Sequence, residues 1–168
     1  MSYVEHQRDS NAIVARCAVV TLSDTRDESA DRSGARIREL LEYHGHGCSA
    51  YHLIPDDPAQ FDALLSKLAG RAEIDVIFTN GGTGISRRDT TIEIAQRRIE
   101  RPLPGFGELF RALSFAQIGS GAMLSRALAG VMSGKLLFCM PGSTAAVELA
   151  MTRLILPELR HLIFELRK

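Results

Sequence analysis

Net charge is the first thing this sequence lacks. Twenty Lys and Arg balance twenty Asp and Glu across 168 residues. A neutral chain makes no global field to draw it onto nucleic acid or an anionic membrane, so any anion site must be local. Cysteine is scarce too, and the spacing of Cys17, Cys48 and Cys139 matches no zinc pattern. Cys17 and Cys139 fall in apolar runs, where a buried free thiol is the usual state, so disulfides are not expected and a reducing compartment fits. No run approaches the ~20 apolar residues of a membrane span. The opening MSYVEHQRDSNA has no apolar centre and does not read as a signal peptide. A soluble, cytoplasmic protein is expected, with neither nucleic acid nor membrane as partner. There is also no serine-elbow motif, no Cys–His nucleophile pair, no repeat and no inter-domain linker.

What is present is alternation. A polar arm (1–12) precedes a single expected domain (13–168). Four apolar, β-branched runs read as strands buried on both faces: IVARCAVVTL (13–22), CSAYHLI (48–54), DVIFT (75–79) and KLLFCM (135–140). Between them lie helical patterns at 33–44, with Ser33 as N-cap, at 60–69 and at 90–99. PLPGFG (102–107) reads as a break, GELFRALSF (107–115) as a helix, and MLSRALAG (123–130) as a shorter helix or turn. Residues 144–167 read as a long helix that Pro157 kinks or divides, serving core packing or a subunit interface. The expected fold is a three-layer α/β/α sandwich around a mostly parallel sheet.

In such sheets ligands lie beyond the carboxyl ends of the strands. Four strand ends carry distinctive loops: Ser23-Asp24, Pro55-Asp56-Asp57, Gly81-Gly82-Thr83-Gly84 and Pro141-Gly142-Ser143-Thr144. If the strands are parallel, these loops meet on one edge. Glycine lets backbone amides turn toward an anion, and a helix N-terminus after the loop adds favourable partial charge. Taken alone, GGTG fits a tight strand-to-helix turn equally well. It is not a P-loop, because no GK[ST] follows, nor a dinucleotide fingerprint, because Arg87 stands where the third glycine belongs.

Asp24, Asp56 and Asp89 each lie just past a strand. Carboxylates beside bound phosphates commonly hold magnesium. Singly, each has a plainer reading: Asp89 as a helix cap completed by Glu93, Asp56 as a turn residue before Pro58. Their convergence on one edge favours a site. Arg26, Arg87 and Arg88 can supply positive charge to a polyphosphate or simply be solvated. His44 and His46, flanking Gly45, read as surface residues.

Five blocks in order then resemble a known family: VTLSD (20–24), LIPDD (53–57), TNGGTGISRRDTT (79–91), PGFGELFR (104–111) and MPGST (140–144). Over residues 13 to 160 the chain is similar to the MoaB/MogA family of molybdenum cofactor biosynthesis, and LSFAQIGSGAMLSRALAGV (113–131) leans it toward the MoaB branch. The resemblance implies a molybdopterin-binding (MogA-like) fold. In active members ATP and molybdopterin give adenylyl-molybdopterin and pyrophosphate with magnesium. It implies that Asp56 and Asp89 match the family's two functional aspartates; on the reading of carboxylates beside phosphates, they are expected to hold magnesium. Gly81, Gly82, Thr83 and Gly84 match the phosphate loop. Ser23, Asp24, Glu108, Gly142 and Ser143 fall in pocket-lining blocks, with Asp24 or Glu108 meeting the pterin edge or ribose. It further implies a homotrimer or homohexamer. Asn80 and Ile85-Ser86 replace the Thr and Pro-Ala of the MogA branch. An inactive pterin-binding carrier or scaffold is the alternative within the MoaB branch.

Overall fold

The computed structural model describes Ser10 and residues 12–168. Most of the arm expected at 1–12 lies outside the described residues; Ser10, within it, is buried, and its carbonyl accepts the Ile13 amide.

Four strands lie parallel: β1 (Arg16–Leu22), β2 (Gly47–Ile54), β3 (Val76–Asn80) and β6 (Lys135–Met140). β1, β3 and β6 are buried nearly throughout, as their apolar character requires, but β2 is an edge strand with no fully buried residue, not the doubly covered strand expected of 48–54. Two more strands, β4 (Arg101–Pro102) and β5 (Leu128–Met132), extend the sheet antiparallel, giving the order β2-β1-β3-β6-β5-β4. Alternate residues of the central strands feed two cores. Cys17, Val19, Val76, Phe78, Leu136 and Phe138 pack on one face with α1 (Arg32–Tyr43), α4 (Pro104–Ile118) and the C-terminal helices. Ala18, Val20, Ile77, Leu137 and Cys139 pack on the other with α2 (Pro58–Ala69) and α3 (Thr91–Arg98). The three-layer sandwich is therefore as expected. No helix among the described residues is long and apolar enough to cross a membrane. The three cysteines are free, Cys17 and Cys139 buried and Cys48 exposed.

Several local expectations are corrected. Residues 123–130 are not a helix: a 3₁₀ turn (Gly119–Leu124) gives way to β5. Gly130 permits that strand, since a Cβ there would lie 2.4 Å from Ile99 and 2.8 Å from the Arg101 carbonyl. PLPGFG is not a break throughout, because α4 already begins at Pro104, where proline's missing N–H costs nothing. The N-cap of α1 is Asp31, which accepts the Gly34 amide; Ser33 is buried and donates its hydroxyl to the Gly142 carbonyl. His46 is buried rather than on the surface, and its Nδ1 accepts the Ala15 amide at 3.1 Å. The C-terminal run divides as expected: α5 (Thr144–Ala150) passes through a π-helical turn (Met151–Ile155) into α6 (Leu156–Leu166), with Pro157 in its first turn. The wider turn accommodates the hydrogen bond proline cannot donate.

Candidate functional site

Because β1, β2, β3 and β6 run parallel, the four polar loops do meet on one edge. Gly81 and Gly82 both have positive φ, 97° and 62°. A Cβ on Gly81 would lie 2.1 Å from the Leu22 carbonyl oxygen, so only glycine lets this loop cross the end of β1. The loop then folds back on α3, where the Thr91 amide donates to the Gly82 carbonyl at 3.1 Å. Among the described residues, no group accepts a hydrogen bond from the amides of Gly82 or Thr83. Two adjacent open donors on a glycine turn beside the first turn of α3 fit an anion.

Asp56 lies against this turn. Its amide donates to Asp24 Oδ1 at 3.1 Å, and Asp24 also takes Arg88 at 2.9 Å. The adjacent Asp57 caps α2 by accepting the Gln60 amide, so Asp56 is spared that duty. Its Oδ1 is buried and has no partner. Thr91 Oγ1 is in the same condition, and an added Cβ on Gly82 would lie 2.2 Å from Thr91 Oγ1 and 2.8 Å from Asp56 Oδ1. Burial pushes the Asp56 carboxyl above its ordinary range; the Asp24 and Asp89 carboxylates add to this and Arg88 opposes it.

Asp89 lies on the other side of the loop. Hydrogen bonding from Ser86 holds its carboxyl low against the opposing effect of burial, with Gly84 and Arg126 helping. The Ser86 amide reaches Asp89 Oδ2 at 2.9 Å. Asp89 does not cap α3; Thr90 occupies that position without a side-chain bond, and Glu93 turns to Arg126 instead. The plainer reading of Asp89 therefore gives way.

This donor set fits magnesium. The ion takes one or two carboxylates, with phosphate oxygens and water completing its shell. Two orphaned oxygens, Asp56 Oδ1 and Thr91 Oγ1, mark one side of the cradle. Asp89, held low, lies against Gly84 and close enough for its charge to raise the Asp56 carboxyl. No cluster of three or more His, Cys, Asp or Glu suited to a metal occurs among the described residues, so the protein offers a partial shell and not a cage.

The β6 loop closes the edge. The Gly142 carbonyl accepts Ser33 Oγ at 2.8 Å and Arg26 Nη2 at 3.1 Å, and a Cβ on Gly142 would lie 3.1 Å from Gly81 Cα. Ser23 folds into its own turn, its oxygen accepting the Thr25 and Arg26 amides at 3.3 and 3.2 Å. Arg87 is exposed. Beneath the loops Asp31 is buried and accepts Thr21 Oγ1 at 2.6 Å and the Tyr51 hydroxyl at 2.8 Å; Asn80 donates to Thr21 at 2.9 Å. This network ties the ends of β1, β2 and β3 together.

Beside the glycine loop is a cavity of about 340 Å³ lined by Thr83, Gly84, Phe110, Ser114, Ser125, Pro141 and Ser143. Ser143 both lines it and caps α5 by accepting the Ala146 amide. Glu108 is not brought there. It lines a second cavity, about 470 Å³, with Gln96, Arg111 and Arg126, and Ser125 lines both. Ser114, Ser125 and Arg126 were not among the expected site residues. Ser114 had a signal: it follows Phe106 and Phe110 on the buried stripe of α4, where a hydroxyl is out of place. Arg126 had none, since its segment reads as helical.

Comparisons with known proteins identify the family and the fold. The family model described as "Probable molybdopterin binding domain" matches residues 18–161. Molybdenum cofactor biosynthesis protein B of Halalkalibacterium halodurans is 52% identical over 169 residues, covering 100% of this chain and 99% of that protein. The Bacillus subtilis protein of the same name is 47% identical over 172 residues, at 100% and 99% coverage. A solved molybdenum cofactor biosynthesis protein B superposes with a TM-score of 0.90 at 47% identity, over 92% of this chain and 97% of that one. The tungsten cofactor synthesizing protein MoaB from Pyrococcus furiosus gives 0.83 at 34% identity, over 92% and 98%. The chain belongs to the MoaB/MogA family of molybdenum cofactor biosynthesis proteins.

Proposed function

We propose that this protein is a molybdopterin adenylyltransferase that joins ATP and molybdopterin to give adenylyl-molybdopterin and pyrophosphate. The observation that carries the reading is the pairing of open Gly82 and Thr83 amides with an orphaned Asp56 oxygen, at a strand edge beside a cavity. An oxygen of the terminal phosphate of molybdopterin attacks the α-phosphorus of ATP, and the bond to the β-phosphate oxygen breaks to release pyrophosphate. A phosphate monoester has its second pKa near ~6, so the nucleophile is already an anion and needs little help from a base. Neither Asp56 nor Asp89 is cast as one. The harder task is bringing two polyanions together in line, which makes positioning and charge neutralisation the main sources of rate.

Asp56 and Asp89 would hold magnesium, which when bound neutralises phosphate charge. The amides of Gly82 and Thr83 take a phosphate group. The neighbouring cavity combines an apolar lining, including Phe110, Ile118 and Leu124, with the hydroxyl-bearing Ser114, Ser125 and Ser143, a mixture suited to a flat heterocycle with a polar edge. Asp24 is committed to the Asp56 amide and to Arg88, so its part is to hold two loops in register. Exposed Phe115, Ile118, Met123 and Leu124 gather at the end of α4 and on the following 3₁₀ turn, Phe115 and Met123 lining one cavity and Ile118 and Leu124 lining the one beside the glycine loop. This apolar face suits assembly of copies into the trimer or hexamer of the resemblance. A cytoplasmic location belongs to the same reading.

The test is adenylation of purified molybdopterin by ATP, with and without magnesium, beside Asp89→Asn. Magnesium-dependent product that the variant fails to make supports the reaction. Pterin bound without product makes the chain a carrier of the same fold. Native mass decides the assembly.

A further inference from the structure

The glycine loop is held from behind by a residue remote in sequence. The Arg126 side chain, 27% exposed, leaves the segment just ahead of β5 and reaches under the loop. Its Nε donates to the Thr83 carbonyl at 3.0 Å and its Nη2 to the Asp89 carbonyl at 2.8 Å. Nη2 also meets the Gly84 carbonyl, and Nη1 meets Glu93 Oε1. One guanidinium thus spans both ends of the loop and the first turn of α3.

The peptide plane makes this consequential. In a trans peptide the N–H points opposite to the C=O. Holding the Thr83 carbonyl aims the Gly84 amide away from Arg126, toward the Asp89 carboxylate that it helps to keep ionised. Holding the Asp89 carbonyl fixes the next amide at the start of α3. Glycine-rich backbone is otherwise free to reorient its peptides, and a preorganised anion site requires that it does not.

We propose that Arg126 is the positioning residue of the phosphate loop: it fixes the peptides that follow Thr83, Gly84 and Asp89, and so anchors the segment next to the Gly82 and Thr83 amides that would meet a polyphosphate, while the Thr91 amide holds the Gly82 carbonyl that sets the Thr83 N–H. This rests on the glycine loop being the phosphate site and adds the residue that sets its shape. Arg126 touches backbone and Glu93, and no substrate is required to meet it. Lysine is not a substitute, because a single ammonium cannot reproduce a planar fork across three carbonyls.

The experiment titrates inorganic pyrophosphate with magnesium into the full chain, its Arg126→Lys and Arg126→Gln variants, and Glu93→Gln. Arg126→Lys and Arg126→Gln are expected to bind at least about tenfold more weakly, while Glu93→Gln, which spares the three carbonyl bonds, stays within about twofold. A role in folding alone would lower the melting temperature of the Arg126 variants and leave the affinity of their folded fraction unchanged; that result overturns the proposal. So does a wild-type chain that does not bind pyrophosphate. A wild-type chain that binds pyrophosphate yet makes no adenylated pterin sinks the adenylyltransferase reading alone, and the positioning role stands or falls on the variants' affinities.

Discussion

Gly82→Ala tests the packing of the loop more directly than removing any functional side chain. The backbone there has φ of 62°, where an L-residue costs about 1–2 kcal/mol. The new methyl also meets Thr91 Oγ1 at 2.2 Å and Asp56 Oδ1 at 2.8 Å. Real atoms do not sit that close, so α3's first residue or the aspartate must move. Overpacking of this kind costs about 1–3 kcal/mol. The sum is about 2–5 kcal/mol, and each kcal/mol lowers the melting temperature of a chain this size by about 2–4 °C. A drop of at least about 4 °C is therefore expected, together with weaker binding of magnesium pyrophosphate, because the strain falls on the loop that carries the Gly82 and Thr83 amides and on Asp56, which would hold the magnesium. Gly105→Ala is the control. It lies in the first turn of α4 with nothing within 4 Å of its added methyl, so it should be neutral or stabilising by up to about 1 kcal/mol. Thermal denaturation and calorimetric titration read both variants. If Gly82→Ala melted with the wild type and kept its affinity, the proposed crowding of loop, threonine and aspartate would be wrong.

Asp56→Asn and Asp89→Asn should each cut turnover by about a hundredfold or more while pterin binding survives; full turnover in both would remove the magnesium clamp. His46 makes stability fall on the acid side. Its ring is buried and neutral, and its pKa is lowered to about 4 by desolvation first, then by Arg160 and His44. The unfolded ring protonates near ~6.5, so this contribution is complete above that pH and shrinks as pH falls toward about 4. Denaturant unfolding between these values should show the slope, reduced in His46→Gln to what His52, also lowered by burial, retains. Asp75 acts lower still. Burial opposes its ionisation, but hydrogen bonds from Arg16 and Arg167 win and hold it at about 2. Its contribution is present above ~4 and lost as pH falls through about 2, so Asp75→Asn should flatten unfolding curves in that window.

The sequence by itself determined the architecture and the place of the site. Apolar runs such as KLLFCM could only be strands covered on both faces, and parallel strands put their trailing loops on one edge. Glycines with positive φ were legible from GGTG because conformational freedom is a local property. What tertiary structure decided was every question of partner choice. The strand β5 was hidden because LAGVM is short and contains a glycine, and only the approach of Ile99 and the Arg101 carbonyl explains that glycine. The cap of α1 was expected at Ser33, but the Gly142 carbonyl takes the Ser33 hydroxyl and Asp31 caps the helix instead. His46 looked like half of an exposed pair until the Ala15 amide claimed it. Glu108 shares a motif with the site yet opens into a neighbouring cavity, because the face a helical side chain presents depends on how the helix is seated. Arg126 is the clearest case. Its bonds to Thr83, Gly84 and Asp89 cross some 40 residues of chain, and hydrogen bonds to backbone carbonyls leave no trace in residue types.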